Sequence, residues 1–180
     1  MPTLAVVSVG LVVVSAISYW QSRTTIVRSI TGEMEQICTT TLGHLDDWFA
    51  NQRVNLEGWA SLKVIQTSLQ DSFVGQSARV AANGELAALI KRYDHIEQLH
   101  LLDPNGVAVA SSDTNSVNEL NLGKEAWFQI LLQGKPVFSE ATASKASGKP
   151  IITVAVPIKA GDKVAGALAA CLNVSAYAAK

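Results

Sequence analysis

The sequence predicts an α+β fold in which a long amino-terminal helix packs on one face of a five-stranded antiparallel sheet. Three observations carry that prediction. From Gln21 to about Ala82 apolar residues recur at helical spacing, and no proline interrupts the chain between Pro2 and Pro104. From Ile96 onward the pattern changes to short apolar segments separated by Gly, Asn, Asp and Pro, which is how strands and turns alternate. Most connections between those segments are a few residues long, too short for a parallel crossover, so neighbouring strands run antiparallel.

Composition narrows the class. The chain has 180 residues, 48% of them apolar, with 14 basic and 15 acidic residues scattered along it and a formal net charge of -1. That is enough apolar material for one core. No basic stripe is present to displace counterions from a phosphate backbone, so nucleic acid is excluded as a partner. The two cysteines, Cys38 and Cys171, belong to no CxxC or zinc spacing, and neither a metal nor a cofactor is expected.

Residues 1–22 are expected to anchor the chain in a membrane. The stretch Leu4 to Trp20 carries no charge. Its length of about 25 Å as a helix is just under the hydrocarbon thickness of a bilayer. Tyr19 and Trp20 then fall at the interface, where aromatic side chains collect. A cleavable signal would want a basic start, and a buried soluble helix would want a polar face; this segment has neither. The basic residues Arg23 and Arg28 follow the span and argue for a cytoplasmic domain, but large domains translocate largely regardless of such charges.

Residues 23–82 are expected to form one long helix. Ile26, Ile30, Met34, Ile37, Leu45, Trp48, Leu56, Trp59, Leu62, Leu69 and Phe73 lie on a single stripe. Such a helix would reach about 90 Å, too long for a small domain alone, so a homodimer through this helix is expected. Residues 83–180 form the sheet domain. Asn83 caps a short helix over "ELAALIKRY", and "IEQLHLLD" and "VAVASSD" flank an Asn105-Gly106 hairpin turn. A polar loop over Ser111–Asn121 leads to a helix, Lys124 to Gln133, stopped by Gly134. Three strands complete the sheet: Val137–Ala143, Ile151–Lys159 and Val164–Asn173, with "KASGKP" and "AGDK" as turns.

This order is that of a PAS-like domain. The stretches "LLDPNGVAVASSD", "GKEAWFQILLQGKPVFSEATASKASGKPIITVAVPI" and "VAGALAACLNVS" resemble the Cache family of extracytoplasmic sensors. "LDDWFANQRVNLEGWAS" is similar to the helix that follows the first membrane span in double-Cache members. The resemblance implies a receptor in the cell inner membrane with one amino-terminal span in this chain and a periplasmic sensing domain. Chemotaxis of the methyl-accepting type is the output it favours. A histidine kinase, a diguanylate cyclase or a structural spacer whose pocket is filled by its own side chains are the alternatives. It further implies a binding pocket on the sheet face away from the long helix, roofed by the loop and helix around Trp127; a double-Cache protein would continue beyond this stretch into a membrane-proximal half.

The residues give that pocket a physical form. Ala165, Ala167, Ala169 and Cys171 share one face of the last strand, and a floor of small side chains must be covered by something large. Trp127 and Phe128 are the rings expected to cover it, around a small-molecule ligand. Amino-acid-binding Cache domains carry an arginine two residues before the Trp-aromatic pair and an aspartate on the last strand. Here those positions hold Glu125 and Cys171. A small carboxylate held by Lys124, or a weakly polar metabolite held by Ser139, Thr142 and Thr153, is expected instead. An enzyme is not expected, because His44, His95 and His100 are dispersed and none is spaced for nucleophilic or metal chemistry.

Overall fold

The computed structural model describes residues 43–144 and 146–175. The expected membrane anchor, the apolar stripe from Ile26 to Ile37 and Cys38 lie outside the described residues. Among those described, no helix is long and apolar enough to cross a membrane.

The chain divides into two units, Met1–Phe49 and Ala50–Lys180. In the first, residues 43–49 are helical, and the adjacent rings of Trp48 and Phe49 meet edge to face with centroids 4.9 Å apart. The second opens with helix α1 (residues 50–60), followed by α2 (Lys63–Ser68) and α3 (Phe73–Ile90). The helical stripe predicted to run unbroken to residue 82 is therefore interrupted twice in the described residues and ends later. Serines make the breaks. The Ser61 hydroxyl donates to the Gly58 carbonyl at 2.6 Å, competing with the helical ladder, and Leu62 turns extended at φ -59°, ψ 132°. Ser72, also extended, caps α3 by accepting from the Gly75 amide at 3.1 Å. Asn83, predicted as a cap, lies inside α3, and its side chain accepts instead from the Ser111 amide at 2.8 Å.

The sheet consists of β1 (Ile96–Leu102), β2 (Ala108–Ser111), β3 (Val137–Phe138), β4 (Thr142–Ala143), β5 (Pro150–Ala160) and β6 (Lys163–Asn173). Every pairing is antiparallel, and the order is β2-β1-β6-β5-β3, with β4 also on β5. The single strand expected over Val137–Ala143 is thus two short strands on one neighbour. Between β1 and β2 the turn differs from the expected two-residue form. Only Gly106 is left-handed (φ 82°), and the Asp103 carboxylate accepts from the Asn105 and Val107 amides, both at 2.9 Å. The outer edge of β2 is covered by the loop carrying a 3-10 turn at Thr114–Ser116: Ala108 pairs through its backbone with Leu120 and Asn118.

Partners across an antiparallel ladder share a face. Register therefore groups Gln98, His100 and Leu102 of β1 with Cys171, Ala169 and Ala167 of β6, and with Thr153, Ala155 and Pro157 of β5. Helix α4 (Ala126–Leu131) covers part of this face against β3 and β5. The opposite face carries Leu99, Leu101, Val154, Val156, Leu168 and Ala170, all buried. Helix α3 packs along β1 and β2 and buries Ala82, Leu86 and Leu89.

Candidate ligand-binding site

The α4 face has two halves of different chemistry. In the apolar half Ala155, Ala167 and Ala169 form the floor with Leu102 and Ala108, and Phe128 and Leu131 of α4 and Val137 of β3 close on them. Phe128 is 1% exposed, whereas its neighbour Trp127 is only partly buried and packs against the same cluster. Their rings meet edge to face at 5.9 Å. The helix that carries them is short and ends just before Gly134, whose amide donates to the Leu131 carbonyl at 2.8 Å.

The other half is polar and lies toward the Ile96 end of β1. Thr153 Oγ1 and Cys171 Sγ, paired in register, are 3.9 Å apart. His100 is 1% exposed, and its Nδ1 lies 3.0 Å from Ser111 Oγ. Gln98 Nε2 donates to Asp113 Oδ2 at 3.5 Å. Glu97 holds the loop before β5: the Ser144 hydroxyl donates to its Oε1, and the Ser147 hydroxyl to its Oε2 at 2.8 Å.

Burial keeps two groups of this half, His100 and Cys171, uncharged. Loss of hydration pushes the His100 imidazole down to about 4, against a smaller opposing attraction from Asp113. Burial likewise pushes the Cys171 thiol up to about 11; the Thr153 hydrogen bond lowers it somewhat, and the Glu97 carboxylate raises it. Among the described residues, no three His, Cys, Asp or Glu side chains are grouped to hold a metal ion.

Of the residues singled out in the sequence, the structure brings Trp127 and Phe128 together over the alanine floor and places Thr153 beside Cys171. The Ser139 hydroxyl accepts from the Thr153 amide at 2.9 Å and donates to the Glu140 carbonyl at 2.7 Å, bridging the gap between β3 and β4. Lys124 and Thr142 are exposed. Gln98, Ser111 and Asp113 are not among those residues, and His100 is named there only as one of three dispersed histidines. The available signal was the alternation in "IEQLHLL", where Gln98 and His100 interleave with Leu99 and Leu101 and so mark a polar stripe on a half-covered strand.

A family model described as "Cache domain" matches residues 22–177. The chain belongs to the Cache family. Cache domains are extracytoplasmic sensors, in general ligand-binding modules without enzymatic activity. A search of curated proteins by sequence finds no match. Among solved structures, the fold is similar to the sensor domain of the Vibrio cholerae histidine kinase DctB, with TM-score 0.67 and 15% identity over 85% of this chain and 58% of that one. It is also similar to the ligand-binding domain of the Campylobacter jejuni chemoreceptor Tlp3 in complex with L-valine, with TM-score 0.57 and 14% identity over 73% and 55% of the two chains. The corresponding domain of the Pseudomonas fluorescens chemoreceptor CtaA, in complex with L-serine, gives TM-score 0.51 and 14% identity over 74% and 54%. The chain thus spans somewhat more than half the length of these structures.

Proposed function

We propose that this chain is the ligand-sensing region of a membrane-bound signal-transduction receptor. A small, weakly polar metabolite binds on the α4 face, where the apolar cluster beneath Trp127 meets the polar half around Thr153 and Cys171. The observation that carries this reading is the division of one sheet face into a ring-covered alanine floor and a row of uncharged polar groups. That is the composition of a small-molecule site: apolar walls with a few fixed hydrogen-bonding atoms. Residues 1–22 anchor the protein, the face lies outside the cytoplasm, and the amino-terminal helix pairs with that of a second copy. Chemotaxis is the output we favour, supported by the likeness to two chemoreceptor ligand-binding domains. The DctB sensor domain, which matches over 85% of the chain, supports a histidine kinase as the second reading.

Lys124, being exposed, gives little support to a clamped carboxylate. Thermal unfolding of the purified chain across a library of small solutes tests the proposal. A true ligand at a hundred times its dissociation constant adds about 2.7 kcal/mol to stability. The shift should shrink in Trp127→Ala, and a ligand whose shift is equal in that variant binds elsewhere and defeats the proposed location.

A further inference from the structure

His100 is a buried group that packing alone does not account for. Its register partners are Ser111 on one side and Ala169 on the other, so it stands on the α4 face at the seam between the apolar and polar halves. Nδ1 lies 3.0 Å from Ser111 Oγ, and Nε2 has no hydrogen-bond partner among the described residues. With Nδ1 bonded and Nε2 unpartnered, the ring has one position free for a bound group.

The tautomer follows from the network. Ser111 Oγ accepts from the Asp113 amide at 3.0 Å, and its own proton needs an acceptor. Nδ1 is the acceptor in reach, so the serine donates to Nδ1 and the ring proton resides on Nε2. We propose that His100 is a specificity-determining residue, its Nε2–H donating to an uncharged carbonyl-type acceptor on the bound molecule. This rests on the ligand-sensing role proposed above and names the chemistry of that same site.

Charge selects against the alternatives. The strand lysine on this face, Lys159, continues the row of Thr153, Ala155 and Pro157 at the far end of β5, where its side chain lies against Gly134 after α4; Asp113 and Glu97 are the charged groups that act on the polar half. A carboxylate entering here would lose hydration without a cation to offset it. An ammonium group offers only donors and cannot accept from Nε2–H. The neutral state of His100 also lets it act as a donor without a charge of its own.

The test uses the full chain labelled with ¹⁵N-histidine, and three isosteric probes: propionamide, propionate and propylamine. The free protein should show His100 as the neutral Nε2–H tautomer, and propionamide should shift that signal. His100→Leu should weaken propionamide binding about tenfold or more, with His100→Gln, which keeps an N–H donor, restoring part of it. An Nδ1–H tautomer, or propionate or propylamine binding more tightly than the amide, overturns the assignment. Probes that perturb Trp127 while leaving the His100 signal unmoved also overturn it, but leave the sensing role standing. Absence of binding by all three overturns the ligand class, and only failure of the wider solute library removes the sensing role with it.

Discussion

At the scale of single residues, two groups on the α4 face are held in forms they would not keep in water. His100 is neutral because its surroundings cannot hydrate a cation, which ties stability to pH in a definite direction. The unfolded imidazole takes up its proton near pH 6.5 and the folded one only near pH 4. Acidification between those values therefore favours the unfolded chain, and stability rises again with pH across the same window. The linkage amounts to about 3 kcal/mol between its two ends. Chemical denaturation of wild type and His100→Gln at several pH values should show a smaller slope in the variant, and equal slopes would mean that the imidazole is hydrated. Cys171, with its thiol pushed up to about 11 from an ordinary 9.0, should be a poor nucleophile. In a Cys38→Ser background, alkylation at mild alkaline pH should run about a hundredfold slower in the folded than in the denatured protein, measured by mass spectrometry. Alternation along the last strand groups Cys171 with alanines, but its place opposite Thr153 depends on the β5–β6 register, which alternation does not set. In the sequence His100 stands out only as one of three dispersed histidines, because a histidine's meaning depends on partners such as Ser111, which lies 11 residues away on another strand.

At the scale of elements, strand positions were far more legible than helix boundaries. Strands here are bounded by Gly, Asn and Pro, whose effect on the backbone is local and strong. The helix breaks are made by hydroxyl groups at Ser61 and Ser72, which suit a turn or a helix interior about equally until tertiary contacts decide. The strand expected over Val137–Ala143 is divided at Ser139: its amide still donates to the Thr153 carbonyl, but the Thr153 amide donates to the serine hydroxyl where a regular ladder would use a backbone carbonyl. The close approach at Gly166 was invisible for a similar reason. A Cβ there would run into the Leu102 carbonyl oxygen and lie 2.7 Å from Leu69 Cδ2, so α2's end is packed directly on the strand backbone. Gly166→Ala should destabilise the domain by about 2 kcal/mol or more and lower its Tm, whereas Gly84→Ala, with nothing within 4 Å, should not destabilise it.

At the scale of the whole molecule, the sheet separates two tasks between its faces. One is filled by leucines and valines against the helices; the other is half filled by α4 and half lined with polar groups. Phe128 is the side chain that fixes α4 to the alanine floor, and Phe128→Ala should cost about 3–5 kcal/mol in denaturant unfolding. Trp127→Ala, at a partly buried ring, should cost clearly less. A similar cost for both would mean that the two rings are equal parts of one core. Ser111 belongs to neither face alone. Its main-chain amide reaches sideways to Asn83 on α3, while its hydroxyl touches the imidazole of His100. One small residue on the outermost strand thus works like a rivet through a plate. Any tug on the ring from one side is felt, across a few covalent bonds, by the long helix on the other.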